Sequence, residues 1–152
     1  MKSYVTLLSL VSAFLASPVL AANDNRVLVE MPPMMQQQMR ADMRDHLMTI
    51  QQITALLSKQ QYEEAADLAE NKLGMSSMGR RSQQHKHHKG QNRAQMMPPA
   101  MRQMGQGLHR SASQFSREVK DAELDGGLGR AFSALSGVMQ QCVGCHSAYR
   151  IQ

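Results

Sequence analysis

Apolar residues recur at helical spacing along most of this chain, and no stretch alternates convincingly with the period of two expected of a half-buried strand. After Pro32-Pro33, a pair suited to a helix start, Met39, Met43, His46, Ile50, Ile53 and Leu57 step by fours and threes. They form a heptad-like seam that Leu47 and Thr54 widen. A shorter helix is predicted over 61–73, with Tyr62, Ala65, Ala66, Ala69 and Leu73 inward and Gly74 as its stop. Residues 74–95 break the pattern. Their Gly, Ser, Gln, Lys, Arg and His residues leave no apolar face, so the segment reads as a flexible, His-rich, solvated linker or a frayed helix extension. The next helix is predicted to start at Pro98-Pro99, carry Met101, Met104, Leu108, Ala112, Phe115 and Val119, and fade at Asp125-Gly126-Gly127. The last holds Leu128, Ala131, Phe132, Leu135, Val138, Met139, Cys142 and Tyr149 on one side. The expected fold is all-α, an antiparallel four-helix bundle with short connections.

The N-terminus is of another kind. Lys2 precedes a mostly apolar stretch from Leu7 to Leu20, and small residues follow at Ala21 and Ala22. Residues 1–22 are read as a secretory signal peptide, cut after Ala21 or Ala22. A membrane anchor fits less well, because the stretch is short and broken by Ser12, Ser17 and Pro18. No later segment is apolar enough to span a bilayer. Residues 23–152 are then expected to form one soluble periplasmic domain. The net charge of +5 becomes +4 once Lys2 is lost. The basic residues are scattered and lack a stacking platform, which argues against nucleic acid. Their charge suits solubility or the steering of an acidic partner. Aromatic residues are scarce; only Tyr62, Phe115, Phe132 and Tyr149 remain after processing. A core this poor in large side chains leaves apolar volume for another group to fill.

Cys142-Val143-Gly144-Cys145-His146 is the C-x-x-C-H signature of c-type haem attachment, and a buried porphyrin would fill that volume. On a helix, positions i, i+3 and i+4 share a face, so Cys142, Cys145 and His146 address one porphyrin edge. Each thiol can add to a haem vinyl group, and the His146 imidazole can bind iron as the proximal ligand. A disulfide, a thioredoxin-like pair and half of a zinc site are the alternatives. The thioredoxin motif belongs beside a strand–helix unit not predicted here, and no second cysteine pair completes a zinc site.

The segment Cys142-Val-Gly-Cys145-His146-Ser-Ala-Tyr149-Arg150 resembles the C-terminus of the cytochrome c-prime family, periplasmic four-helix haem proteins. In that family an aromatic and a basic residue follow the haem histidine at three and four positions, as Tyr149 and Arg150 do here. The helix order, signal peptide and length agree; the His- and Met-rich middle departs from the pattern. The resemblance implies one covalent haem c and a sixth coordination site facing the first helix. It places the distal position near Met43, with Met39, one turn earlier, in reserve. A methionine sulfur on iron would make a low-spin electron carrier that serves periplasmic redox partner proteins. An open site would make a five-coordinate protein that binds nitric oxide or carbon monoxide. The resemblance further implies that Arg150 lies beside His146 or a haem propionate and that Tyr149 packs near the haem; pairing of two copies stays open.

Each assignment has a plainer rival. Methionines at heptad spacing are often flexible core filler, and this chain has 14. His46, on the same seam, is a further ligand candidate or a hydrogen-bonded histidine at the bundle edge. Arg44 and Asp45 read as a solvated face, and Arg150 as a residue of a fraying C-terminus. A competing constellation is His85-Lys86-His87-His88 with two Met/Pro patches, Met31-Pro-Pro-Met34-Met35 and Met96-Met97-Pro-Pro-Ala-Met101. Imidazoles and soft thioethers suit copper or nickel, which would make this a metal-handling protein. No Ser/His/Asp or paired-carboxylate arrangement stands out, so no enzymatic activity is expected.

Overall fold

The computed structural model describes residues 24–84, 93–125 and 127–152. Residues 1–22, expected to be a signal peptide, and the histidine run at 85–88 lie outside the described residues. In chain order the elements are β1 (Val27–Val29), α1 (Pro33–Ser58), α2 (Tyr62–Lys72), α3 (Met75–Gln84), α4 (Arg93–Met96), α5 (Pro99–Asp125), α6 (Leu128–Ala148) and β2 (Tyr149–Ile151). The described chain is mostly helical, as the spacing of its apolar residues predicts.

The helix boundaries follow local chemistry. Pro32 caps α1 and Pro33 opens it, where a missing N–H leaves no hydrogen bond unmade. The Pro32 carbonyl accepts from the Met35 and Gln36 N–H groups at 2.9 and 3.0 Å. At the far end Gln60 takes a left-handed φ of 58°, and the Gln61 N–H returns to the Leu56 carbonyl. Helix α2 carries Glu63 and Glu64 in its first turn and Lys72 in its last, matching the helix dipole. Past its end, a Cβ on Gly74 would lie 2.8 Å from the Glu70 Cα, so a larger residue requires a backbone shift.

Helix α3 forms inside the stretch whose pattern offered no apolar stripe, and its first turn shows why. The Glu70 carboxylate accepts from the Ser76 N–H at 3.0 Å and from its hydroxyl at 2.5 Å. The Ser113 hydroxyl, from α5, accepts from the Met75 N–H at 2.9 Å. These side chains satisfy N–H groups that a helix start leaves unpaired. Burial pushes the Glu70 carboxyl up, but hydrogen bonds from Ser113 and Ser76 and the Arg117 charge outweigh it and hold it below its ordinary value.

Helix α2 packs between α1 and α5, α5 packs on α6, and α3 rests on α2 and α5. The main core fills these contacts with Ile53, Leu57, Leu73, Phe115, Val119 and Val138, all almost fully buried. Helices α1 and α6 pack less closely than these pairs, though Ile53 and Leu57 of one and Leu135 and Val138 of the other share the main core. A second, smaller cluster is made of Val29, Met31, Met35, Met39 and Met101, with Met97, Cys145, Tyr149 and Ile151 packed against it.

Two expectations are corrected. The buried face of α1 is Met35, Met39, His46, Thr49, Ile53 and Leu57; it leaves out Met43, while Ile50 packs partly buried against the main core. Met43 is 36% exposed. The interior accepts polar groups here: the His109 ring of α5 meets the His46 ring edge-on, centroids 6.4 Å apart. The Thr49 hydroxyl is satisfied by the Asp45 carbonyl at 2.7 Å. Second, Tyr149 does not continue the last helix. It turns extended at φ −131° and ψ 150°, and β2 pairs in parallel with β1 in the register Val27↔Tyr149, Leu28↔Arg150 and Val29↔Ile151. A parallel pair needs a long crossover, and here the helical domain itself supplies it.

The main core should carry the stability. Phe115→Ala is expected to lower unfolding free energy by about 3–5 kcal/mol, read by urea denaturation. Leu124→Ala, at a site 87% exposed, should change it by less than about 0.5 kcal/mol.

Candidate functional site

The last turns of α6 carry Cys142, Cys145 and His146, and three sets of neighbours position them. Cys142 packs against the main core and its thiol points back to the Val138 carbonyl at 3.8 Å. Cys145 packs against the methionine cluster. The same short segment therefore touches both cores. His146 is exposed, and with Phe132, Met139 and Val143 it falls at helical spacing on one exposed face of α6.

No disulfide joins the two cysteines. Burial pushes both thiols up, and the neighbouring Cys142 raises Cys145 further. They stay protonated at neutral pH. A thioredoxin-like pair needs the opposite, a depressed pKa that yields a reactive thiolate. Among the described residues no group of three or more His, Cys, Asp or Glu side chains is placed to hold a metal ion, which leaves the zinc-site alternative without partners.

The third neighbour is the N-terminal segment. The Arg26 Nε donates to Asp24 Oδ1 at 2.9 Å and its Nη2 to Oδ2 at 2.7 Å, a side-on bidentate pair. The remaining nitrogen, Nη1, donates to the His146 carbonyl at 3.3 Å. Beyond the strands, the Met31 N–H donates to the Gln152 carbonyl at 3.2 Å, and the Gln152 N–H to the Val29 carbonyl at 3.3 Å. Arg150, from β2, brings its Nε to 3.5 Å from Asp24 Oδ2. That approach is an ion pair without hydrogen-bond alignment, and the buried Nε has no hydrogen-bond partner among the described residues.

The other residues singled out from the sequence divide clearly. Met39 is 8% exposed and belongs to the cluster against which Cys145 packs, whereas Met43 belongs to neither core. His46 is buried near His109. Arg44 and Asp45 are exposed, and Tyr149 packs on the methionine cluster. The two Met/Pro patches, far apart in sequence, converge there through Met31, Met35, Met97 and Met101. Three residues escaped the sequence reading. Asp24 and Arg26 reach the site only through the pairing of the chain ends. His109 gives no signal in its spacing, yet its Nδ1 lies 2.6 Å from the Leu73 carbonyl. A carbonyl only accepts, so Nδ1 carries the proton.

Two shallow clefts of about 390 and 270 Å³ lie elsewhere, one beside Leu56 and Leu68 and the other beside Phe115 and Ala134. No helix among the described residues is long and apolar enough to cross a membrane. No protein-family model matches this chain, and no curated protein or solved structure is significantly similar to it.

The charge cluster sets an acid limit. Side-chain and backbone hydrogen bonds from Arg26 lower the Asp24 carboxyl from 3.8 to about 2 against a small desolvation cost, with the Arg26 and Arg150 charges adding to the fall. A carboxyl depressed in the folded state stabilises it above the unfolded pKa, and that contribution fades as pH falls through the folded one. The hold of Asp24 on the two arginines should therefore weaken between pH 4 and pH 2. NMR titration should find the Asp24 midpoint near 2. Asp24→Asn should abolish that dependence of the Val29 and Gln152 amide shifts.

Proposed function

We propose that this chain is a periplasmic monohaem c-type cytochrome that transfers electrons, folded as an antiparallel four-helix bundle of the cytochrome c-prime kind. The observation that carries the reading is C-x-x-C-H on the last turns of α6, with both thiols free, protonated and half-buried where α6 touches both cores. The order of helix contacts, α1 on α2, α2 on α5 and α5 on α6, supports the bundle, with α2, α3 and α4 between its longer helices.

The residues present fit a covalent haem. When bound, it supplies an iron that gains and loses one electron without bond changes in a substrate. Cys142 and Cys145 would hold it as thioethers, and His146 would be the proximal ligand. Among the described residues the buried Arg150 Nε has an ion pair with Asp24 but no hydrogen-bond acceptor, and a propionate carboxylate would supply one. The hydrogen bond from Arg26 to the His146 carbonyl restrains the backbone that carries the imidazole. The polarizable methionine cluster beside Cys145 offers an apolar wall. On the distal side, burial in that cluster supports Met39 as a thioether ligand over Met43, which the family resemblance favours. Exposed apolar Phe132, Met139 and Val143 suit docking of a redox partner near the haem.

An optical spectrum of the exported protein, oxidised and reduced, with and without carbon monoxide, tests the reading. A low-spin spectrum indifferent to the gas is expected; a high-spin spectrum that shifts with it would identify a gas-binding protein instead. Met39→Ala should convert low-spin iron to high-spin, and the same change from Met43→Ala alone would return the ligand to Met43. Cys142→Ser with Cys145→Ser should make any haem extractable with acidified acetone. Absence of haem bands from wild-type protein made with a competent maturation system would sink the proposal.

A further inference from the structure

The described methionines are sorted in a way that packing does not require. The main core has 15 buried residues, drawn from Ile, Leu, Val, Ala, Phe and Tyr, and none is methionine. The smaller cluster has five, and four of them are Met31, Met35, Met39 and Met101, each between 4% and 8% exposed. Methionine as general gap-filler would be spread over both cores. Here it is concentrated where the chain brings two Met/Pro patches together.

The proposed cytochrome uses at most one of these sulfurs on iron, which leaves Met31, Met35 and Met101 unassigned. Met35 and Met39 stand one turn apart on α1, Met31 precedes that helix, and Met101 lies in the first turn of α5. Met97, one turn before Met101, packs on the cluster half-buried. Their sequence neighbours Met34 and Met96 are 67% and 41% exposed, so thioethers continue from the cluster to solvent. Uncharged sulfur donors suit a soft monovalent ion and suit zinc or magnesium poorly. A thioether has no proton to lose near neutral pH, so its affinity does not fall in mild acid as that of imidazole or thiolate does.

We propose that Met31, Met35 and Met101 form a binding site for one cuprous ion, with Met97 at its entrance, independent of haem attachment. The ion enters and leaves as copper(I), and no electron or proton moves in binding.

The test is anaerobic titration of the mature chain with cuprous ion against a coloured copper(I) chelator, using haem-loaded wild type and the haem-free Cys142→Ser/Cys145→Ser variant. Both should hold one copper per chain, equally at pH 7 and pH 5. Met35→Leu with Met101→Leu keeps volume and apolarity, so the fold should survive, as circular dichroism will verify. Affinity should fall by roughly 100-fold or more, because even outer-shell changes cost about 10- to 100-fold. Met34→Leu should lower affinity far less. If the double leucine variant fails to fold, Met31→Leu alone is read in its place, with at least a tenfold loss expected. The site is disproved if wild type cannot compete with the chelator or if the leucine variants bind normally. Binding that disappears at pH 5 overturns it in favour of the 85–88 histidines, and binding lost only with the cysteines overturns it in favour of a thiolate. The copper count and the haem spectrum are separate readouts, so either proposal can fail alone.

Discussion

The domain holds two apolar cores of different composition side by side, and the rest of the architecture is arranged around their border. Residues of α1, α2, α5 and α6 build an ordinary aliphatic and aromatic core without methionine. Beside it four buried methionines make a second one, where the two Met/Pro patches converge. Cys142 packs against the first and Cys145 against the second, so the C-x-x-C-H segment sits on the border between them.

The far end of α6 is secured by different means. Its last carbonyls and the strand beyond it are tied to residues 24–31 by a short ladder, by Arg26 and by the carboxylate of Asp24 set against two guanidinium groups. Isolated ion pairs at this exposure contribute little to stability. Their value lies in geometry. The bidentate contact fixes the Arg26 fork, which leaves its third nitrogen free to meet the His146 carbonyl.

Much of the helical plan was legible because its punctuation is local. The proline pairs at 32–33 and 98–99, Gly74 and the glycines after Asp125 act on their own neighbours, and helix ends fall beside each of them. The register of α1 was harder. Apolar side chains at 43 and 50 fit the heptad, yet Met43 is left exposed and Ile50 only partly buried, while the polar Thr49 is buried with its hydroxyl satisfied by its own helix. Helix α3 was hidden for a related reason, since its start is organised by Glu70 and Ser113 rather than by an apolar stripe. Of the candidate site, the C-x-x-C-H group announces itself by spacing alone. Asp24 and Arg26 do not, for their position beside His146 exists only once the chain ends have met.

That meeting fixes an order of events. Of the described elements, strand β1 is the first to be synthesised and its partner β2 is the last. Their pairing closes the longest loop among the described elements, so it cannot form until every helix has been made. Until then the cysteines of α6 have no N-terminal segment beside them. The final backbone pairing thus acts as a clock, leaving an interval in which the two thiols are open to their surroundings before residues 24–31 fold in alongside.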